Sequence, residues 1–239
     1  MLANLQEDST TSGTLDKDVH LPATSKYRLM DFIAEELPLW RDRKDRPLVT
    51  AENALTSQLC GHLNSAARRS PGWDFLQFRV EEPDEIKKGR KIDLVPSPCG
   101  VTVWIEGCRH SDFDIILPIE CKRLPTPQGT DRDEREYVNS KFSSTGGIQR
   151  FKSAHHGAGH SVGAMIAYVQ DESPTTWIER IAGWINDLIN SGAFGWSSSD
   201  LLTLESDDTA RGLTIFQSSH SRTGKMGKIT LRHLWLSMN

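Results

Sequence analysis

The stretch Asp114-Ile115-Ile116-Leu117-Pro118-Ile119-Glu120-Cys121-Lys122-Arg123 constrains this chain more than any other. Its apolar run is short, β-branched and bounded by turn residues, which is the pattern of a buried strand rather than a helix. Strand side chains alternate, so Glu120 and Lys122 are expected on one face, side by side. An acid and a base at the end of a buried strand are costly unless they are paired or used. A salt bridge closing the strand would account for them alone. A second apolar segment, Lys91-Ile92-Asp93-Leu94-Val95, weighs against that reading, because it places Asp93 upstream at a spacing that suits the neighbouring strand.

The rest of the chain supplies elements to pack around these two strands. Tyr27 to Trp40 carries Met30, Ile33, Ala34 and Leu37 at helical steps and is expected to stop near Pro38. A second helix is expected from Thr50, as N-cap, to about Asn64, with Leu55, Leu59 and Leu63 as its apolar stripe. Glu52 falls at the centre of that stripe. It therefore points toward the core, unless it serves only as a first-turn acid favoured by the helix dipole.

Phe75 to Val80, Val101 to Ile105 and Val162 to Val169 read as strands, the last as a central one. Glu106, at the end of the second of these, is a reserve carboxylate. Pro83-Asp84 sits among charges with no apolar strand around it, so it is set aside as a site. Ser173-Pro174 opens a strongly periodic helix that Asn190-Ser191-Gly192 closes. Gly195 to Arg211 reads as a loop, and Leu213 to Gln217 with Ile229 to Leu236 as a closing antiparallel pair. The expectation is a tail over residues 1–25 and one α/β domain over 26–239, with a mixed central sheet flanked by helices.

Asp93 followed by Glu120-x-Lys122 resembles the PD-(D/E)xK nuclease superfamily, and the likeness runs from about Glu52 to Gln170. The motif is short, and its weight comes from standing on two apolar strands. The resemblance implies a restriction-endonuclease-like core and a metal-dependent nuclease. It further implies Mg²⁺, with Mn²⁺ as a substitute, held by Asp93, Glu120, the Cys121 carbonyl and Glu52. Lys122 would position water, and Gln149, on a helix after the Glu-x-Lys strand, would contact the site or the DNA. It implies DNA rather than RNA as substrate, a homodimer as one working arrangement, and a separate regulatory partner protein if the role is restriction or antiphage defence. The competing class is a catalytically silent nucleic-acid-binding or protein-interaction module on the same fold. Nothing supports a third class, since the chain has no Gly-x-Ser-x-Gly elbow, Walker loop or dinucleotide fingerprint.

Charge is distributed in patches. The chain carries a net −4, of which the tail contributes −3. Basic residues gather at Lys87, Lys88, Arg90 and Lys91, at Lys122-Arg123, at Arg150 and Lys152, and between Arg222 and Arg232. The first and third patches are the expected nucleic-acid contacts. Gly146-Gly147 before the short helix is either a phosphate cradle or a plain helix-start turn. Leu124 to Phe142 is expected as a surface loop rather than a lid, and His155, His156 and His160 as loop-surface histidines. Ser219, His220, Arg222, Arg232 and His233 form a candidate polar contact surface. Cys99, Cys108 and His110 fit no zinc module, and the four cysteines read as reduced thiols. With no leader-like start and no apolar run near the ~20 residues that cross a membrane, a cytoplasmic location is expected.

Overall fold

The structure is a computed structural model describing residues 24–84, 90–129, 132–140, 146–222 and 226–239. Lys87, Lys88 and all but the end of the expected tail lie outside them. The chain runs α1 (Thr24–Arg41), α2 (Glu52–Arg69), β1 (Leu76–Pro83), β2 (Lys91–Pro98), β3 (Val103–Ile105), β4 (Cys108–His110) and β5 (Ile119–Leu124). It continues through α3 (Gly147–Lys152), β6 (Val162–Val169), α4 (Pro174–Asn190), β7 (Thr203–Asp208), β8 (Leu213–Ser221) and β9 (Lys228–Ser237).

Seven strands make one mixed sheet in the order β1-β2-β5-β6-β9-β8-β7. The β5–β6 and β6–β9 pairs are parallel, and the other pairs are antiparallel. Central β6 is buried along its whole length, and its alternation divides the core. Ala164, Ile166 and Tyr168 join the cluster under α1 and α2, while Met165, Ala167 and Val169 join the one under α4. Leu55, Leu59 and Leu63 of α2 are fully buried. Each such side chain contributes roughly 1.5–3 kcal/mol by leaving water. On the opposite face, the Ser173 hydroxyl accepts the Thr176 N–H at 3.1 Å and starts α4, which buries Trp177, Ile181, Trp184 and Ile185. The α/β class with a mixed sheet is thus as expected.

Several local expectations are corrected. Helix α1 continues through Pro38 to Arg41, because Leu37 and Trp40 gain full burial on the core side. Helix α2 has Ala51, not Thr50, at its N-cap and extends to Arg69. β3 pairs only with β4, in a small separate sheet. The organising strand begins at Ile119 rather than Ile115, since Ile115 to Pro118 is buried without a ladder. Pro83 ends a strand and Asp84 is buried, so that dipeptide is not on a bare loop. The expected loop after Gly195 contains β7, an exposed edge strand paired with β8. Among the described residues no helix is long and apolar enough to cross a membrane.

Candidate active site

β2 and β5 pair at Leu94 and Ile119. Just beyond that pair the Asp93 carboxylate accepts the Cys121 N–H at 2.8 Å, so a side chain supplies the bond that a ladder carbonyl would otherwise make. One residue either side of Cys121, Glu120 and Lys122 share a face as the strand period requires. The Lys122 Nζ lies 2.8 Å from Glu120 Oε1, 3.2 Å from Glu52 Oε1 and 3.7 Å from Asp93 Oδ2. It also donates to the Cys121 carbonyl at 2.9 Å. Glu52, in the first turn of α2, accepts the Arg123 N–H through Oε2 at 3.1 Å. It therefore faces the strand residues and is more than a dipole-stabilised first-turn acid.

Glu120 has no accessible side-chain surface. Its Oε1 also accepts from Arg150 Nη1. The His156 Nδ1 lies in close polar contact with Oε2 at 3.0 Å, and neither atom has a described hydrogen bond. A buried carboxylate oxygen left without a donor carries a desolvation cost that most native structures avoid.

The electrostatics follow from three carboxylates around one ammonium. Burial, then repulsion by Glu120, pushes Asp93 up to about 6 against the pull of Lys122 and the Cys121 N–H. Burial alone would lower the Lys122 pKa, but Glu120, Asp93 and Glu52 outweigh it and hold the group above its ordinary value. Burial would likewise raise Glu120, and Lys122, His156 and Arg150 together pull it well below the carboxylate range. Lys122 is therefore a hydrogen-bond donor and counter-charge, and Asp93 is the carboxylate whose charge is least supported. A cleft of about 200 Å³, lined in part by Glu52, Thr56, Glu81 and Asp93, adjoins the cluster. A larger cavity of about 540 Å³ between α1 and β3 contains none of these residues.

Other expected contacts are placed differently. The Gln149 Oε1 accepts the Ser140 N–H at 3.3 Å and holds the preceding loop; no described bond links it to the carboxylates. Lys152 is buried, donating to the Gly195 carbonyl at 2.7 Å and to Asp200, so it does not face a nucleic acid. Arg150 turns inward to Glu120. Lys91 pairs with Glu81 at 2.7 Å at the surface, and Arg90 is half-buried. The two glycines are no phosphate cradle, because a Cβ on Gly146 would meet the Asn139 backbone at 2.1 Å. The N–H groups of Gly147, Ile148 and Gln149 are spent on the carbonyls of Glu136, Tyr137 and Val138. The segment expected as surface loop thus buries Tyr137 and Val138 and caps α3. His156 and His160 are buried, not surface, residues.

The candidate polar surface on β8 and β9 is instead partly interior. The Trp235 indole N–H donates to Tyr137 Oη, and Tyr137 Oη meets His233 Nδ1, both at 2.8 Å. Ser218 Oγ lies 2.7 Å from His233 Nε2 and 2.6 Å from His220 Nε2, and His220 Nδ1 meets Asp200. Asp200 also takes the Lys152 ammonium. Arg232 points away to Asp31 and Glu205.

Asp93, Glu120, Glu52 and the Cys121 carbonyl are all oxygen donors, the chemistry that suits a hard divalent cation, and the orphaned Glu120 Oε2 fits such a group. In the arrangement present the Lys122 ammonium stands among them. No three or more His, Cys, Asp or Glu side chains among the described residues are arranged to hold a metal ion as they stand. Sequence reasoning missed the approach of Arg150 and His156 to Glu120; the only local signal was the glycine pair that lets α3 pack closely. Compared with known proteins, the chain matches no family model, no curated protein and no solved structure.

Proposed function

We infer that this protein is a metal-dependent nuclease built on a restriction-endonuclease-like core, hydrolysing phosphodiester bonds of nucleic acid, DNA before RNA. The observation that carries the reading is the convergence of Glu52, Asp93 and Glu120 on Lys122 from α2, β2 and β5, with a buried Glu120 oxygen left unsatisfied. Asp93, Glu120, Glu52 and the Cys121 carbonyl would hold Mg²⁺ or Mn²⁺. When bound, such an ion supplies Lewis acidity toward a phosphate oxygen and lowers the pKa of water.

The residues of the chain do the rest. Lys122, kept protonated by its three carboxylates, donates to the attacking water and offsets negative charge as it develops on phosphate. The water oxygen gives up a proton to solvent and forms a bond to phosphorus, the bond to the departing sugar oxygen breaks, and that oxygen takes a proton from solvent. Asp93 anchors the strand gap through the Cys121 N–H, which aims the Cys121 carbonyl and Lys122 together.

A second reading, a silent binding module, draws on one observation: the described carboxylates are not arranged as a ready three-ligand site. The deciding experiment incubates purified protein with plasmid, single-stranded DNA and RNA, in Mg²⁺ or in EDTA. Mg²⁺-dependent cleavage that Glu120→Ala abolishes is expected. Binding without cleavage of any substrate would favour the silent module, and substantial cleavage by Glu120→Ala would sink the site.

A further inference from the structure

We propose that Arg150 is a gate over Glu120 and, once displaced, the arginine that grips the substrate phosphodiester. This rests on the reading of the cluster as a metal-dependent phosphodiester site. Both Glu120 oxygens are sealed, since the side chain has 0% exposure, so no ligand reaches it unless a neighbour moves.

Two cations, Lys122 and Arg150, and the His156 imidazole cover it, and they are not held equally. The Lys122 side chain is 9% exposed and bonded to Glu120, Glu52 and the Cys121 carbonyl. His156, on the loop after α3, is 2% exposed and stacked edge-on against Phe151. The Arg150 side chain is 24% exposed, and its one described side-chain bond runs from Nη1 to Glu120. It is the cation with a route to solvent, and a single described side-chain bond holds it.

The backbone beneath it is fixed. The first N–H groups of α3 are bound to residues 136–138, and Lys152 is tied to Gly195 and Asp200. The movement is therefore a swing of the arginine side chain, not of the helix. Leaving Glu120 frees a carboxylate for a divalent cation and releases a planar guanidinium whose paired donors match two phosphate oxygens.

The gate has a signature that an ordinary structural ion pair lacks, because its removal acts in opposite directions on two ligands. Calorimetric titration of Mn²⁺ into wild type and Arg150→Ala is expected to show about tenfold tighter binding in the variant, the scale of one charged hydrogen bond no longer competing. Binding of a short duplex DNA in Ca²⁺ is expected to weaken by about tenfold in the same variant, with Arg150→Lys falling between. Mn²⁺ affinity equal to or weaker than wild type would overturn the gate while leaving the metal site standing. Tighter Mn²⁺ binding with unchanged DNA affinity would overturn the phosphate grip. Mn²⁺ binding by neither protein would overturn the metal site, and the gate with it.

Discussion

Two polar clusters among the described residues, one along β8 and β9 and one at the β2–β5 gap, differ in one respect. Along β8 and β9 every proton has a single consistent place. The Asp200 carboxylate only accepts, so His220 carries its proton on Nδ1 and accepts the Ser218 hydroxyl on Nε2. Ser218 must then accept from His233 Nε2–H, which leaves His233 Nδ1 to accept from Tyr137, itself accepting from Trp235. The second Asp200 oxygen takes the Ser197 N–H at 2.7 Å. At the β2–β5 gap the places are not settled in this way: three carboxylates share Lys122, and Glu120 Oε2 and His156 Nδ1 meet at 3.0 Å without a described hydrogen bond. A satisfied network specifies structure. An unsatisfied one is tolerated where a ligand completes it.

The largest test removes the anion from the satisfied cluster. Asp200→Ala leaves Lys152 and His220 facing each other without their carboxylate, and about 3–5 kcal/mol of stability should be lost in denaturant unfolding. A loss below about 1 kcal/mol would mean the chain of bonds is not structural. Ser218→Ala deletes the one hydroxyl that both imidazoles need, and about 1–3 kcal/mol should go with it.

The unsatisfied cluster should respond with the opposite sign. Asp93 titrates at about 6 in the fold, above its unfolded value. Its ionisation therefore costs stability, absent below about pH 4 and full above about pH 6. Asp93→Asn should unfold later than wild type at pH 7, by on the order of 1–3 kcal/mol, with the gain vanishing at about pH 4. A less stable Asn variant at neutral pH would show that Lys122 already satisfies the site.

The smallest effect is a pH slope. Burial holds His220 below its ordinary value, and burial followed by the neighbouring His220 holds His233 well below it. The unfolded chain then takes protons first, and stability is complete above about pH 6.5 and falls as pH drops below it. Between about pH 6.5 and 5.5 the loss should be on the order of 1 kcal/mol. His233→Gln should flatten it, and an unchanged slope would assign the acid loss elsewhere.

What the sequence disclosed follows the range of the forces involved. Asp93, Glu120 and Lys122 were legible because a strand's period of two places side chains without knowledge of the rest, and the α4 stripe was legible from its 3.6-residue period. β7 was not, since Thr203 to Asp208 has no buried alternation and is a strand only because β8 offers a ladder. Arg150 and Lys152 looked like surface cations. Their inward turn depends on α3 packing through Gly146 onto Asn139, and on carboxylates distant in the chain, Glu120 for Arg150 and Asp200 for Lys152. Pro38 failed as a stop signal because the burial of Trp40 outweighs the lost helix bond.

The central claim is that the unsatisfied cluster is the reaction centre and the satisfied one is scaffold. Single-turnover cleavage of a labelled duplex in Mg²⁺, measured beside unfolding for Asp93→Asn and Ser218→Ala, tests it most directly. The account predicts an inversion: the more stable Asp93→Asn protein loses cleavage, and the less stable Ser218→Ala protein cuts at close to the wild-type rate. Cleavage by Asp93→Asn at the wild-type rate, or none by wild type itself, would contradict it.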